Sequence, residues 1–268
     1  MKAHSTPSRV IGHRGAAGLE LENTLASFKH AFALGVDAIE FDVHRTFDGE
    51  FVVCHDPHLA RVSTSRAFIK DLSYAELHSI ELHNGQQVPL LRDVLALCVS
   101  RRTPVIVELK IDHHLAHFCA VLDAFAGHDI TVASFHHDAL EQIRRLRPAL
   151  PLYLAEAVSP VAAVQRARGM RAAGVDLNVN VLNPLVYWLA RRADLEIMVY
   201  VVDHPLLGRF VRLIYPGVHL CTNQPGLFLN EPAARPKRAR PLLRRLKRMV
   251  EKLCSTEFIV PEDSRLEV

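Results

Sequence analysis

The sequence has few of the features that mark membrane-spanning, secreted or disulfide-stabilised proteins. Its 268 residues contain no run of 18 apolar residues, so no transmembrane helix is expected. Residues 1–9 carry charge but lack the apolar stretch of a secretory signal. The five cysteines are scattered without a Cys-x-x-Cys pair, which argues against a disulfide framework or a structural zinc site. We therefore expect a cytoplasmic protein.

Charge is unevenly distributed along the chain. Residues 231–252 contain nine Lys or Arg and two Glu, yet the formal net charge of the whole chain is only +3. The tail over residues 231–268 also repeats apolar residues at helical spacing, which predicts a basic amphipathic helix. Such a helix either docks on its own protein or contacts the inner, anionic face of a membrane through residues 235–253. It has no interleaved aromatic residues, so nucleic-acid binding is not expected.

Up to residue 230, short β-branched runs alternate with longer helical patterns, as in proteins built from βα units. Strands are predicted at 9–12, 38–44, 104–110, 130–134, 151–156, 175–181, 196–202 and 218–222. Helices are predicted at 24–34, 114–126, 138–147, 160–173, 184–193 and 205–214. Eight such units predict one α/β domain over residues 1–230, a (β/α)₈ TIM barrel. A doubly wound sheet is the alternative, but no Gly-x-Gly-x-x-Gly turn follows the first strand.

Two regions depart from the regular alternation, and both follow the second predicted strand. Residues 47–50 are typical of a turn that leads into Phe51–Cys54, a short hairpin arm that would deliver His55. Residues 56–103 form an insertion that is too long for an ordinary loop between a strand and a helix. The insertion contains helical patterns at 73–81 and 92–100, and we expect it to cover the mouth of the barrel.

Four charged residues occupy alternate positions of two predicted strands: Glu40, Asp42, Glu108 and Lys110. Side chains two residues apart share a strand face, and the apolar residues between them would pack against the helices. The charged side chains should therefore face the barrel lumen or its mouth. Three carboxylates in such a place need a compensating cation, and oxygen ligands suit Mg²⁺ or Ca²⁺ better than zinc. A structural salt-bridge network to Lys110 is the alternative.

Two histidines lie on the side of the barrel where such enzymes place their catalytic groups. His13 follows the first strand, and His55 ends the hairpin arm. Imidazoles titrate near neutral pH, so one can accept a proton from a nucleophile while the other donates one to a leaving oxygen. The pair fits phosphodiester cleavage, with Arg14 and Lys110 placed to hold phosphate oxygens. The chain has 16 histidines, so position alone also allows an ordinary surface role.

An ordered set of motifs resembles the glycerophosphodiester phosphodiesterase family over residues 9–230. The motifs are His-Arg-Gly at 13–15, Glu-Asn-Thr-Leu-Ala-Ser-Phe at 22–28, Leu-Gly-Val-Asp-Ala-Ile-Glu-Phe-Asp-Val at 34–43, Asp-Gly at 48–49, Val-Val-Cys-His-Asp at 52–56 and Val-Glu-Leu-Lys at 107–110. The resemblance implies a metal-dependent phosphodiesterase that releases sn-glycerol 3-phosphate and an alcohol. It also implies attack on phosphorus by the neighbouring glycerol hydroxyl, which gives a cyclic phosphate that water then opens.

The resemblance implies roles for individual residues as well. The implied roles are an acid/base pair in His13 and His55, metal ligands in Glu40, Asp42 and Glu108, and phosphate contacts in Arg14 and Lys110. Glu22 would lie near the site and support these residues rather than bind the metal.

The sequence departs from the family pattern at four places. Leu21 replaces the proline before Glu-Asn-Thr, and residues 61–65 lack the usual glycines. Tyr200-Val201-Val202-Asp203 replaces Trp-Thr-Val-Asn, and Thr222-Asn223-Gln224-Pro225 replaces Thr-Asp-x-Pro. The implied catalytic set is intact, whereas the altered residues, Tyr200 among them, would line the pocket wall and contact the substrate.

Three other functions compete with this interpretation. A lysophospholipase D activity is the nearest, and a greasy pocket entrance would favour it. A metal-dependent amidohydrolase would normally carry His-x-His on the first strand, where this chain has His13-Arg14-Gly15. A non-catalytic barrel that binds a membrane surface through its basic tail is the third. The sequence carries no signal for an oligomeric state.

Overall fold

Parallel strands close into a barrel in the computed structural model, which describes residues 7–229. The strands in chain order are β1 (Val10–His13), β2 (Ala38–Arg45), β3 (Phe51–Val53), β4 (Val105–Leu109), β5 (Ile130–Ser134), β6 (Leu152–Glu156), β7 (Gly174–Asn178), β8 (Glu196–Tyr200) and β9 (His219–Thr222). All but β3 pair in parallel, and β1 pairs with both β2 and β9, so the sheet has no open end. The predicted (β/α)₈ barrel is confirmed.

The helices within residues 7–229 follow in chain order, and several of them begin or end at residues with clear capping chemistry. In chain order they are α1 (Leu25–Leu34), α2 (Tyr74–His78), α3 (Leu91–Arg101), α4 (Leu115–Asp123), α5 (His137–Leu146), α6 (Pro160–Gly169), α7 (Pro184–Arg192), α8 (Pro205–Ile214) and α9 (Gly226–Leu229). The Thr24 side chain accepts the Ser27 N–H at the start of α1, and Gly35 ends that helix at φ 82°. Proline begins α6, α7 and α8, where its missing N–H costs no hydrogen bond.

Strand alternation separates the apolar core from the lumen. On β2, Ile39, Phe41 and Val43 are fully buried in the core between the sheet and the helices. The intervening residues Glu40 and Asp42 point to the other face, inside the barrel. Each fully buried aliphatic or aromatic side chain contributes about 1.5–3 kcal/mol. Since a one-residue slip would bring the carboxylates into that core, burial of the apolar set determines where they lie.

The hairpin arm is present as predicted, and the long insertion after it has two parts. β3 pairs antiparallel with β2 and leads into His55. The first part, residues 56–90, packs around its own small core, to which Leu59, Ile69 and Leu77 contribute. The second part is α3, whose apolar face belongs to the main core. This helix is therefore one of the barrel's covering helices and not part of a cap over the mouth.

Several predicted elements end earlier than the sequence pattern indicates, and two of them show why. The strand predicted at 175–181 stops at Asn178, whose side chain accepts the Asn180 N–H and starts a 3₁₀ turn. The helix predicted at 160–173 stops at Gly169, and the chain reverses through Arg171 at φ 52°. The tail predicted over residues 231–268 lies outside the described residues. Within residues 7–229, no helix has the length and apolar content needed to span a membrane.

Candidate active site

Three carboxylates predicted as metal ligands meet at the end of the barrel where the strands finish. Glu40 and Asp42 come from β2 and Glu108 from β4, and Asp42 is paired in register with Glu108. Each offers a carboxylate oxygen that lies within 4.8 Å of the others, and all three side chains are buried. We call them the carboxylate trio. Their convergence follows from strand parity and from the adjacency of β2 and β4.

Burial and the neighbouring charges shift the pKa values of the three carboxyl groups in opposite directions. Burial and the charges on Asp42 and Glu108 raise the pKa of Glu40 well above its usual value. Burial and Asp42 raise the pKa of Glu108 to about 7. Burial also opposes ionisation of Asp42, but Lys110 and Arg14 more than offset it and hold the pKa of Asp42 well below its usual range. The trio therefore binds protons that a cation would displace.

Two cations lie against the trio. The Lys110 Nζ is 2.9 Å from Asp42 Oδ1 and also pairs with Glu108. The Arg14 Nε is 3.2 Å from Asp42 Oδ2, and its backbone N–H donates to Glu40 Oε2 at 3.0 Å. Arg14 reaches this place because its φ is 52°, a turn conformation directly after β1. Both residues predicted as phosphate contacts thus lie at the trio, where carboxylates already neutralise part of their charge.

His13 ends β1 and is almost completely buried beside the trio. Its Nε2 is 3.9 Å from Glu40 Oε2, and its Nδ1 is 2.7 Å from the side-chain oxygen of Asn223. Burial, reinforced by the nearby Arg14 charge, lowers the pKa of His13 to about 4. The imidazole is therefore neutral at physiological pH and able to accept a proton.

His55 lies at the tip of the hairpin arm and has a different partner. Its Nδ1 is 2.6 Å from Asp56 Oδ1, and the other oxygen of that carboxylate accepts a hydrogen bond from Arg61 Nε at 2.8 Å. The backbone oxygen of His55 also lies 3.0 Å from His44 Nε2, which holds the arm in place. Burial, together with the charges of Lys110 and Arg14, lowers the pKa of His55 overall, although Asp42 and the Asp56 hydrogen bond oppose that effect. A carboxylate partner of this kind stabilises the protonated imidazole.

Glu22 connects Arg14, on the His13 side of the site, to Arg61, on the His55 side. It accepts hydrogen bonds from Arg14 Nη1 at 2.9 Å and from Arg61 Nη2 at 2.8 Å. Burial would raise the pKa of Glu22, but the two guanidinium groups lower it overall. Glu22 is not part of the carboxylate trio, as expected of a residue that supports the site.

Tyr200 is located at the end of β8, on the wall of the mouth. Its ring meets the ring of Phe135 edge-on with centroids 6.2 Å apart, and its hydroxyl lies 3.5 Å from the Glu156 carbonyl oxygen. The Lys110 Nζ lies 6.0 Å from the centre of the same Phe135 ring. Tyr200 and Phe135 thus form an aromatic edge next to the cation that pairs with the trio.

One structural observation, which does not depend on the sequence motifs, indicates that the trio can bind a divalent cation. Glu40 Oε1 is buried and has no hydrogen-bond partner within residues 7–229. An unpaired buried carboxylate oxygen costs free energy unless a proton or a cation satisfies it. Three hard oxygen donors in one cluster are the donor set that Mg²⁺ and Ca²⁺ prefer. The predicted alternative, a network of salt bridges, accounts for Asp42 but leaves this oxygen unexplained.

Several residues of the site were not assigned a role from the sequence. Asn23 donates to Asp42 Oδ2 at 2.9 Å, and Arg61 joins Glu22 to Asp56. Asp176 on β7 is buried in the lumen with one oxygen unpartnered among the described residues, and burial raises its pKa well above the usual value. Strand parity could have identified Asp176, because it occupies a lumen-facing position of a predicted strand.

Comparisons with known proteins agree with this geometry. A model of the glycerophosphoryl diester phosphodiesterase family matches residues 13–227. A curated glycerophosphodiester phosphodiesterase of Bacillus altitudinis is 32% identical over 160 residues, which cover 54% of this chain and 65% of the relative. A lysophospholipase D of Homo sapiens is 35% identical over 121 residues, which cover 40% of this chain and 38% of the relative. The chain thus spans less than two thirds of the length of these curated relatives.

A solved structure shares the fold. A phosphodiesterase of Oleispira antarctica, solved in complex with its product sn-glycerol-3-phosphate, superimposes with a TM-score of 0.76 at 23% identity. The match covers 84% of this chain and 96% of that one.

Proposed function

The chain belongs to the glycerophosphoryl diester phosphodiesterase family, and we propose that it hydrolyses glycerophosphodiesters to sn-glycerol 3-phosphate and an alcohol in a metal-dependent reaction. One observation carries the proposal: a buried carboxylate trio with an unsatisfied oxygen on Glu40 lies directly beside the neutral imidazole of His13. A cation site next to a base is the arrangement that a phosphodiesterase of this kind requires.

Glu40, Asp42 and Glu108 would hold the cation, which we propose to be Mg²⁺ or Ca²⁺ because all three donors are carboxylates. When bound, such a cation neutralises charge on a phosphate oxygen and makes a nearby hydroxyl more acidic. It would also replace the protons that Glu40 and Glu108 retain through their raised pKa values. Arg14 and Lys110 would then turn their remaining donors to the phosphate.

We propose that His13 is the base. Its Nε2 faces the trio, and its low pKa keeps that nitrogen free of a proton at neutral pH. It would remove the proton of the glycerol hydroxyl as that oxygen forms its bond to phosphorus.

His55 would be the acid. Its Nδ1–H donates to Asp56, and this carboxylate stabilises the protonated imidazole, whose Nε2–H is the proton given to the alcohol oxygen as the phosphorus–oxygen bond breaks. In the second half the roles reverse: water gives a proton to His55 as it attacks the cyclic phosphate, and His13 returns its proton to the glycerol oxygen.

The test is hydrolysis of glycerophosphocholine by the purified chain with Mg²⁺ or Ca²⁺. Release of glycerol 3-phosphate and choline, lost on adding EDTA and restored by the cation, is the expected result. Absence of EDTA-sensitive release across both metals and a range of head groups would overturn the proposal. Glu156→Gln is a matched control at the same end of the barrel, because Glu156 lies outside the trio and its Oε1 accepts only backbone N–H groups.

A second candidate function, hydrolysis of lysophospholipids, is favoured by apolar residues around the mouth. Val158 and Leu206 are 82% and 65% exposed, and they follow β6 and β8. Leu19 and Phe135, which follow β1 and β5, are also exposed. An acyl chain would cover apolar surface that a head group such as choline leaves in water. If lysophospholipids are substrates, Val158→Ser with Leu206→Ser should raise KM for lysophosphatidylcholine and leave KM for glycerophosphocholine unchanged.

A further inference from the structure

Asp203 and Asn223 connect His13 to the last strand of the barrel. The Asn223 side-chain nitrogen donates to Asp203 Oδ2 at 2.6 Å, and the Asn223 backbone N–H donates to Asp203 Oδ1 at 2.8 Å. The Thr222 hydroxyl also donates to Asp203 Oδ1, at 3.0 Å. A single carboxylate thus accepts three hydrogen bonds from two consecutive residues, and this fixes the Asn223 amide in one orientation.

The backbone around Asn223 is held on its other side as well. The Gly18 N–H donates to the Asn223 carbonyl oxygen at 2.8 Å. A Cβ at position 18 would lie 2.9 Å from that oxygen and 2.7 Å from Gln224 Cγ, so only glycine allows the approach. The loop after β1 and the residues after β9 are therefore packed together, which places Asn223 beside His13.

The direction of each hydrogen bond in this chain is determined by chemistry. An ionised carboxylate only accepts, so the Asn223 group that faces Asp203 must be its NH₂. The oxygen of the same amide then faces His13 Nδ1 at 2.7 Å, and that nitrogen must carry the hydrogen. A neutral imidazole with its hydrogen on Nδ1 has a lone pair on Nε2, the nitrogen that faces Glu40.

We propose that Asp203 and Asn223 are positioning residues that select the Nδ1–H tautomer of His13 and aim its Nε2 lone pair at the carboxylate trio. The inference deepens the proposed function, on which its catalytic consequence depends. The hydrogen-bond chain His13–Asn223–Asp203 orients the His13 ring, just as Asp56 orients the His55 ring. The group in direct contact with His13 is a neutral amide, whereas the group in contact with His55 is a carboxylate.

The two residues touch, so exchanging their side chains would preserve the set of groups across a single hydrogen bond. Either order leaves a carboxylate, an amide and an acceptor for His13 Nδ1–H, whereas two carboxylates or two amides do not give a unique orientation.

The exchange suggests a test with three variants. Asp203→Asn removes the carboxylate, so the Asn223 amide is free to flip and present its NH₂ to His13. Asn223→Asp places two carboxylates at hydrogen-bond distance, where their charges repel. Each single change should lower kcat for glycerophosphocholine about a hundredfold with little change in KM, as loss of a group that orients a site histidine does. The double exchange Asp203→Asn with Asn223→Asp should return kcat to within about fivefold of the parent, because the contacting residues are coupled.

A direct readout does not depend on activity. Nitrogen-15 NMR of the imidazole should show His13 as the Nδ1–H tautomer in the parent and in the double exchange, and as a mixture in Asp203→Asn. Asn180→Asp is the matched control: it adds the same charge at an exposed position near the same mouth and should leave tautomer and kcat unchanged.

The outcomes separate this inference from the proposed function. If the parent hydrolyses no glycerophosphodiester, the function fails, while the NMR result still decides the tautomer. An Nε2–H tautomer in the parent, full kcat in either single variant, or a double exchange as impaired as the product of the singles would each overturn the positioning role. Thermal melting of every variant shows whether a loss of kcat arises from unfolding.

Discussion

Replacing Glu40 with Gln tests whether the carboxylate trio is a metal site or a structural cluster. Gln keeps the shape of the side chain, and its oxygen can still accept the Arg14 N–H that now goes to Glu40 Oε2. Two like charges about 4 Å apart repel by about 4 kcal/mol at an effective dielectric constant of 20, and Glu40 avoids this cost through its raised pKa. The metal-free protein should therefore lose little from the change, and its melting temperature in EDTA should stay within about 2 °C of the parent.

The metal-loaded protein should respond very differently. A cation at a hundred times its dissociation constant stabilises the folded parent by about 2.7 kcal/mol. For a domain of this size, that free energy corresponds to a rise in melting temperature of about 5–11 °C. Glu40→Gln removes one of three ligands, so most of this rise should disappear.

Circular dichroism melts of the parent and Glu40→Gln, each in EDTA and in a series of Mg²⁺ and Ca²⁺ concentrations, measure both quantities. Glu156→Gln is the control and should keep the full metal-induced rise. The metal assignment is refuted if Glu40→Gln shows the same rise as the parent. It is also refuted if Glu40→Gln melts far lower in EDTA while the metal shift is unchanged, because that pattern belongs to a structural ion-pair network.

Four further predictions concern the histidines, pH, the lumen and the tail. His13→Ala and His55→Ala should each lower turnover of glycerophosphocholine by about two to four orders of magnitude, measured by steady-state kinetics. Since the pKa of Glu108 is raised from 4.5 to about 7, the contribution of Glu108 to the stability of the metal-free protein, measured as the difference between the parent and Glu108→Gln, should fall as the pH rises from about 5 to about 7. Metal affinity of the parent from titration calorimetry should rise over the same window. Asp176→Asn should shift the melting temperature by less than about 2 °C, because burial raises the pKa of that carboxyl and so favours its uncharged form. If the tail contacts anionic membranes and does not dock on its own protein, deleting residues 236–268 should abolish co-sedimentation with anionic liposomes and leave diesterase activity intact.

Each of these four predictions would be contradicted by a specific result. Near-normal turnover in either histidine variant would exclude that residue from proton transfer. A stability difference between the parent and Glu108→Gln that stays constant from pH 5 to 7 would show that Glu108 is ionised throughout that range. A large destabilisation by Asp176→Asn would mean that Asp176 is charged and paired. Unchanged liposome binding after the deletion would exclude the tail as the contact with lipid.

The fold and the carboxylate trio could be predicted because both follow from short-range patterns. Alternation of Ile39, Glu40, Phe41 and Asp42 is a property of eight consecutive residues on β2, and burial of the apolar half determines the direction of the charged half. The strand count predicted closure because each βα unit repeats the same local pattern. The predicted ends of strands and helices were wrong where a single side chain determines the end. An example is Asn178, whose turn with Asn180 ends β7.

The supporting contacts could not be predicted in the same way. Arg61 and Glu22 are 39 residues apart, and His13 and Asn223 are 210 residues apart. Such pairs are neighbours only because of loop geometry or barrel closure, which no local periodicity reports. The assignment of α3 to the insertion was wrong for a related reason: its apolar face is equally suited to a cap and to the barrel, and only packing distinguishes them.

Closure of the barrel between β1 and β9 has a consequence for the order in which activity appears during synthesis. His13 precedes its partner Asn223 by 210 residues, and Asn223 belongs to the segment after the final strand. A nascent chain that already contains both histidines and the trio still lacks the group that orients His13. Catalytic competence should therefore arise abruptly, once the last strand has emerged and docked, and not in proportion to the length translated.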